Sequence, residues 1–126
     1  MNTPEMIYEL ADGEVLVFGS NAAGLHYGGA ARMAHERFGA EWGVGEGLTG
    51  RSYALPTMEG LDALRAAVGR FLVFAAEHPE LRFLVTPVGC GIAGHVPAEV
   101  GPAFGGHRDN VIIPASFQAA IEKRQS

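Results

Sequence analysis

The sequence predicts an α/β fold of three layers, in which a mixed, largely parallel sheet is covered by helices on both faces. Three observations lead there. Short apolar runs alternate along the chain with stretches of helical periodicity. The runs lack the apolar/polar alternation of a sheet with one wet face, so they read as strands buried on both sides. Glycine loops follow the two strongest of these runs, at the points where an α/β protein turns from strand to helix.

The elements follow in order. Residues 14–18 (EVLVF) are a predicted strand that ends on Gly19, Ser20 and Asn21. A glycine-punctuated stretch over 24–29 leads into a predicted helix at 30–38. Residues 39–50 read as a second glycine-rich loop, and 52–55 as a short strand stopped by Pro56. Leu61, Leu64, Val68, Phe71, Leu72 and Ala75 recur at helical spacing and predict a helix over 61–77. It stops at His78-Pro79, where proline disfavours helix for the residue before it. Residues 82–88 (RFLVTPV) are the next predicted strand, with Pro87 marking its end. A third glycine loop at 89–94 precedes a short helical turn near 97–104, a last strand at 110–113 and a closing helix at 116–124.

Composition narrows the functional classes. With 126 residues, the chain is expected to form one domain over 1–126, since it is too short for two cores. Apolar residues make up 48% and charged residues 18%, which predicts a folded globule. A net charge of -5 argues against a broad nucleic-acid-binding face, which needs clustered Lys and Arg. A small anionic ligand stays compatible, because backbone N–H groups and helix N-termini hold phosphate without net positive charge. Cys90 is the one cysteine, so no internal disulfide is expected and a reducing, cytoplasmic setting is. Residues 1–10 lack the basic region of a signal peptide, and the apolar stretch 61–76 carries Asp62, Arg65 and Arg70, so no membrane association is expected. No C-x-x-C or H-E-x-x-H spacing occurs, and neither metal nor another cofactor is expected.

The 18 glycines are about twice average usage, and their grouping carries the functional argument. Gly89, Cys90, Gly91, Ile92, Ala93 and Gly94 spell G-x-G-x-x-G after a predicted strand. Gly45 to Gly50 spell the same string, which shows how little it says alone. A dinucleotide fingerprint also needs a full helix next and an acidic residue ending the following strand. Pro97 and Pro102 keep that helix short, and Asp109 precedes the last strand, so a dinucleotide dehydrogenase is not expected. Glycines that let backbone amides approach a pyrophosphate remain the better reading of loops at strand ends, against the alternative of plain tight turns. Asn21, directly after the first strand, suits either a ribose hydroxyl or a turn conformation.

Taken in order, the motifs resemble the macrodomain family, and within it a compact bacterial and phage group. Residues 17–35 (VFGSNAAGLHYGGAARMAH) are similar to that family's strand, asparagine, glycine-rich loop and helix. Residues 47–57 (GLTGRSYALPT) are similar to its second block, and 85–97 (VTPVGCGIAGHVP) to its phosphate loop. The resemblance implies a macrodomain-like fold and an ADP-ribose-like ligand, free or attached to a macromolecule. It places Asn21 near the distal ribose, Gly28 and Gly29 along one wall, Gly89 to Gly94 around the diphosphate, and Phe104 toward the nucleoside end. Ala31 stands where some ADP-ribosyl hydrolases of the family carry a catalytic aspartate, and Asp12 is a poor counterpart of the aspartate that holds adenine.

Hydrolysis of an ADP-ribosyl or phosphate linkage would need a group to position water and charge stabilisation at the reacting centre. Glu46, the one acid in the loop 43–50, is the candidate base, with a solvated loop glutamate as the alternative. His26 and His95 flank the first and third loops and are candidate acids or phosphate ligands, or surface histidines. Cys90 reads as a structural residue shaping the phosphate loop more than as a nucleophile. The expected function is therefore nucleotide binding with hydrolysis as a possible chemistry. The alternatives are a non-catalytic reader or sponge, and a nucleotide-binding scaffold within an oligomer.

Overall fold

A computed structural model describes residues 9–21, 29–91 and 93–125 of the chain. β1 (Glu14–Ser20) leads toward α1 (Gly29–Arg37), followed by β2 (Gly47–Thr49), β3 (Ser52–Pro56) and α2 (Leu61–Ala76). The second half holds β4 (Arg82–Val85), α3 (Pro97–Val100), a 3-10 turn (Gly101–Phe104), β5 (Val111–Ile112) and α4 (Ala115–Gln125). The five strands form one sheet in the order β2-β3-β1-β4-β5. The β1–β3, β1–β4 and β4–β5 pairs are parallel, and β2 is antiparallel to β3. The sheet is thus mixed and mostly parallel, as expected.

Side chains of β1 alternate between two cores, because successive residues of a strand point to opposite faces. Val15 and Val17 join Tyr53, Leu55, Phe83 and Val85 against Leu64, Val68, Phe71 and Ala75 of α2. Phe104 and Phe117 complete that layer from the second half of the chain. Leu16 and Phe18, with Ala54, face Ala34 and Phe38 at the α1 layer. Phe71 is the aromatic centre of the α2 layer, edge-on to Tyr53 at 4.9 Å and to Phe83 at 5.4 Å between ring centroids. Fully burying such a ring contributes roughly 1.5–3 kcal/mol.

The sheet order carries a functional consequence. From β1 the chain moves outward on one side to β3, then crosses over β1 by way of α2 to reach β4 on the other side. The direction of winding therefore reverses between β1 and β4. In open α/β sheets the crevice beyond the carboxyl ends of the strands at such a reversal is where ligands bind.

Two elements differ from expectation. Residues 47–49, read as part of a loop, form β2, an edge strand with one large apolar side chain, Leu48, that takes its order from pairing with β3. β4 ends at Val85, earlier than the expected limit of 88, because Pro87 has no N–H for the ladder and Val88 N–H turns back onto Thr86 O at 2.6 Å. β5 is short and is tied in by Asn110. The Asn110 amide shares its two hydrogens among Ala75 O at 2.9 Å, His78 O at 3.1 Å and Leu81 O at 3.2 Å, which satisfies carbonyls at and beyond the end of α2. No described helix is long and apolar enough to cross a membrane.

Candidate functional site

The candidate site is the cluster of loops at the carboxyl ends of β3, β1 and β4. β1 sets its geometry. Leu16 N–H donates to Arg51 O, and Ser20 O accepts from Thr57 N–H, so even-numbered peptides of β1 face β3. Thr86 N–H donates to Val17 O, so odd-numbered peptides face β4. Gly19 therefore turns its peptide groups toward the β4 side, one step beyond the point where β4 leaves the ladder. The parallel pairing with β3 continues to Ser20, whereas that with β4 stops at Val17. A gap opens between β1 and β4 at the winding reversal.

The loop after β4 returns into that gap. Gly89 N lies 3.7 Å from where a Cβ on Gly19 would stand, and the methyl of Thr57 lies 3.1 Å from the same point. Gly19 is the place where all three loops meet, and a side chain there would press into Thr57. Gly89 has φ +78°, and a Cβ on it would come within 2.8 Å of Leu64 Cδ2 and 3.3 Å of the His95 ring. The loop can lie flat against the first turns of α2 because that position is glycine.

Within the loop, Cys90 N–H donates to Pro87 O, Gly94 N–H to Gly91 O, and His95 N–H to Gly89 O. No described residue accepts from the N–H of Gly89, Gly91 or Ala93. Gly91 and Gly94 have open space where a side chain would begin. α2 starts at the same end of the sheet with Gly60 as its N-cap, and no side chain caps its first turn. Backbone donors with no acceptor among the described residues, together with a helix N-terminus, favour an anion.

The expected site residues divide. Asn21, Gly89, Cys90, Gly91, Ala93, Gly94 and His95 fall in the loops at this end of the sheet, and Gly29 opens α1. His26, Gly28 and Ile92 lie outside the described residues. Glu46 stands at the lateral edge just before β2, where Arg70 Nε and a terminal guanidinium nitrogen donate to its two carboxylate oxygens at 2.7 and 2.8 Å. Phe104, expected toward a nucleoside, is instead a core residue. Its ring is fully buried, stacked on Phe117 at 5.4 Å and edge-on to Phe71. The hydrophobic gain from joining the aromatic core leaves it no free face.

Cys90 is half-buried, and its thiol donates to Val88 O at 3.7 Å. Burial first, and the Glu99 carboxylate second, push its pKa above the ordinary thiol value. Both effects disfavour the thiolate, which agrees with a structural role in the loop. Among the described residues, no group of three or more His, Cys, Asp or Glu side chains could hold a metal ion.

Sequence reasoning passed over Thr57 and Thr86. Both are buried, and each donates twice to one β1 carbonyl. Thr57 gives its N–H (2.8 Å) and hydroxyl (3.0 Å) to Ser20 O, and Thr86 its N–H (3.0 Å) and hydroxyl (2.8 Å) to Val17 O. Their one sequence signal is a proline beside each, Pro56 and Pro87, where a strand stops.

Comparison with known protein families, with characterised proteins and with solved structures finds no match.

Proposed function

We propose that this protein binds an ADP-ribose-like phosphorylated nucleotide at the carboxyl ends of β1 and β4, with the diphosphate over Gly89, Gly91 and Ala93. The observation that carries the reading is the gap at the winding reversal, where the peptide of Gly19 faces a loop in which the N–H groups of Gly89, Gly91 and Ala93 have no acceptor among the described residues. The uncapped start of α2 adds a partial positive charge at the same end. The macrodomain-like order of motifs supplies the choice of ADP-ribose among diphosphates. Asn21, which follows β1 directly after Ser20, is the residue for the distal ribose.

Binding without turnover is the form favoured over hydrolysis. Glu46 has both oxygens committed to Arg70, and Ala31 offers no carboxylate, so neither is set to activate water. His95 remains as a phosphate ligand or acid, with its ring packed near Gly89.

The test is a calorimetric titration of ADP-ribose, with AMP and NAD as comparators, followed by incubation with an ADP-ribosylated protein. Saturable binding selective for ADP-ribose with no product supports the reader. Product formation supports the hydrolase. Absence of binding to all three ligands removes both.

A further inference from the structure

Thr57 and Thr86 form a pair related by position. Each is the first residue after its strand, each flanks β1 from one side, and each adds a hydroxyl bond to an acceptor that its own N–H already uses. A carbonyl oxygen has two lone pairs, so both bonds form at once. The two anchors are offset along β1, at Ser20 on the β3 side and Val17 on the β4 side. That offset makes the gap: β4 is released early and held there, while β3 is held to the end of β1. The Thr57 methyl and Gly89 N both crowd the point where a side chain on Gly19 would begin, at 3.1 and 3.7 Å.

We propose that Thr57 and Thr86 are positioning residues for the ligand, fixing the loops after β3 and β4 so that the amide nitrogen of Gly89 is held beside Gly19. The assignment rests on the ligand reading above and adds the residues that set its geometry. Thr86 is the stronger of the two, because the loop it anchors carries the donors. Loss of its hydroxyl leaves the N–H bond intact, so the strand stays paired while the loop gains freedom to tilt.

The experiment uses Thr86→Val, Thr57→Val and the matching serine variants. Valine keeps the methyl and shape but removes the hydroxyl, and serine keeps the hydroxyl. Two readouts are needed: ADP-ribose affinity by calorimetry, and amide hydrogen exchange over residues 87–95 against 61–76. Thr86→Val is expected to weaken ADP-ribose binding about tenfold, the factor that a lost buried hydrogen bond gives. It is also expected to speed exchange over 87–95 selectively, and Thr86→Ser is expected to restore both. Thr57→Val is expected to weaken binding by a smaller factor. Unchanged affinity in both valine variants overturns the assignment. So does exchange that rises equally in 61–76, since a merely structural bond would loosen the whole molecule. If the unaltered protein binds no ADP-ribose, the ligand reading falls, and the exchange measurement alone still decides whether the threonines hold the loops.

Discussion

Arg70 holds Glu46 in a two-pronged grip, with Nε 2.7 Å from one carboxylate oxygen and a terminal nitrogen 2.8 Å from the other. The pair fastens the residue before β2 to the outer side of α2. Its geometry is of the bidentate kind that Arg forms with carboxylates, yet both side chains keep contact with solvent. Glu46→Gln is expected to change stability by less than about 1 kcal/mol and to leave ADP-ribose affinity unaltered. Thermal unfolding and calorimetry check both. A large loss of affinity or turnover would return Glu46 to the site.

Two glycines of one loop are expected to respond in opposite ways. Gly91 has ordinary φ and open space beside it, so Gly91→Val is expected to keep the thermal midpoint and lose ligand affinity. Gly89 combines positive φ with a contact of 2.8 Å to Leu64, so Gly89→Ala is expected to destabilise the fold by about 1–3 kcal/mol. Equal stability of the two variants would contradict the packing described for this loop.

Cys90 provides a pH test. Its thiol pKa is raised in the folded chain, so the unfolded chain ionises first as pH climbs. The associated stability is fully present below the ordinary thiol value of about 8.5 and is lost as pH rises through the higher folded value. Alkylation by iodoacetamide at pH 8 is expected to be slower in the native protein than in urea. Glu99→Gln is expected to speed the native reaction, since Glu99 is the second cause of the shift. Native and denatured rates that coincide would show an unperturbed, open thiol.

Asn110→Ala is expected to cost about 1–3 kcal/mol, the penalty for stripping donors from partly buried carbonyls. Denaturant titration measures the loss. Asn110→Asp is expected to be no better, because a carboxylate brings acceptors to three acceptors. A neutral Asn110→Ala would mean that water replaces the amide without loss.

Most of the fold was legible because its signals are local. The apolar run at 14–18 and the spacing of Leu61, Leu64, Val68 and Phe71 are each contained in one element, and β1 and α2 follow them closely. β2 was not legible, since Gly47-Leu48-Thr49 becomes a strand through its partner alone. The glycine loops could be placed at strand ends, but their meeting at Gly19 depends on sheet order, which no local pattern encodes. The threonine anchors bond across 37 and 69 residues of chain, and the Asn110 amide across 29 to 35. Phe104 was misread for a related reason: an aromatic after a glycine loop looks the same in sequence whether it faces a ligand or Phe117.

The alternation of β1 has one more implication. Its side chains sort between the two helical layers by parity, and its peptides sort between β3 and β4 by the same parity. With Glu14 held in place, deleting a single residue between it and Val17 would invert both assignments at once, sending Val17 to the wrong layer and turning the Gly19 peptide away from the β4 side. Core and loop cluster share one phase along the chain, so a length change early in β1 disturbs both even where substitutions are tolerated.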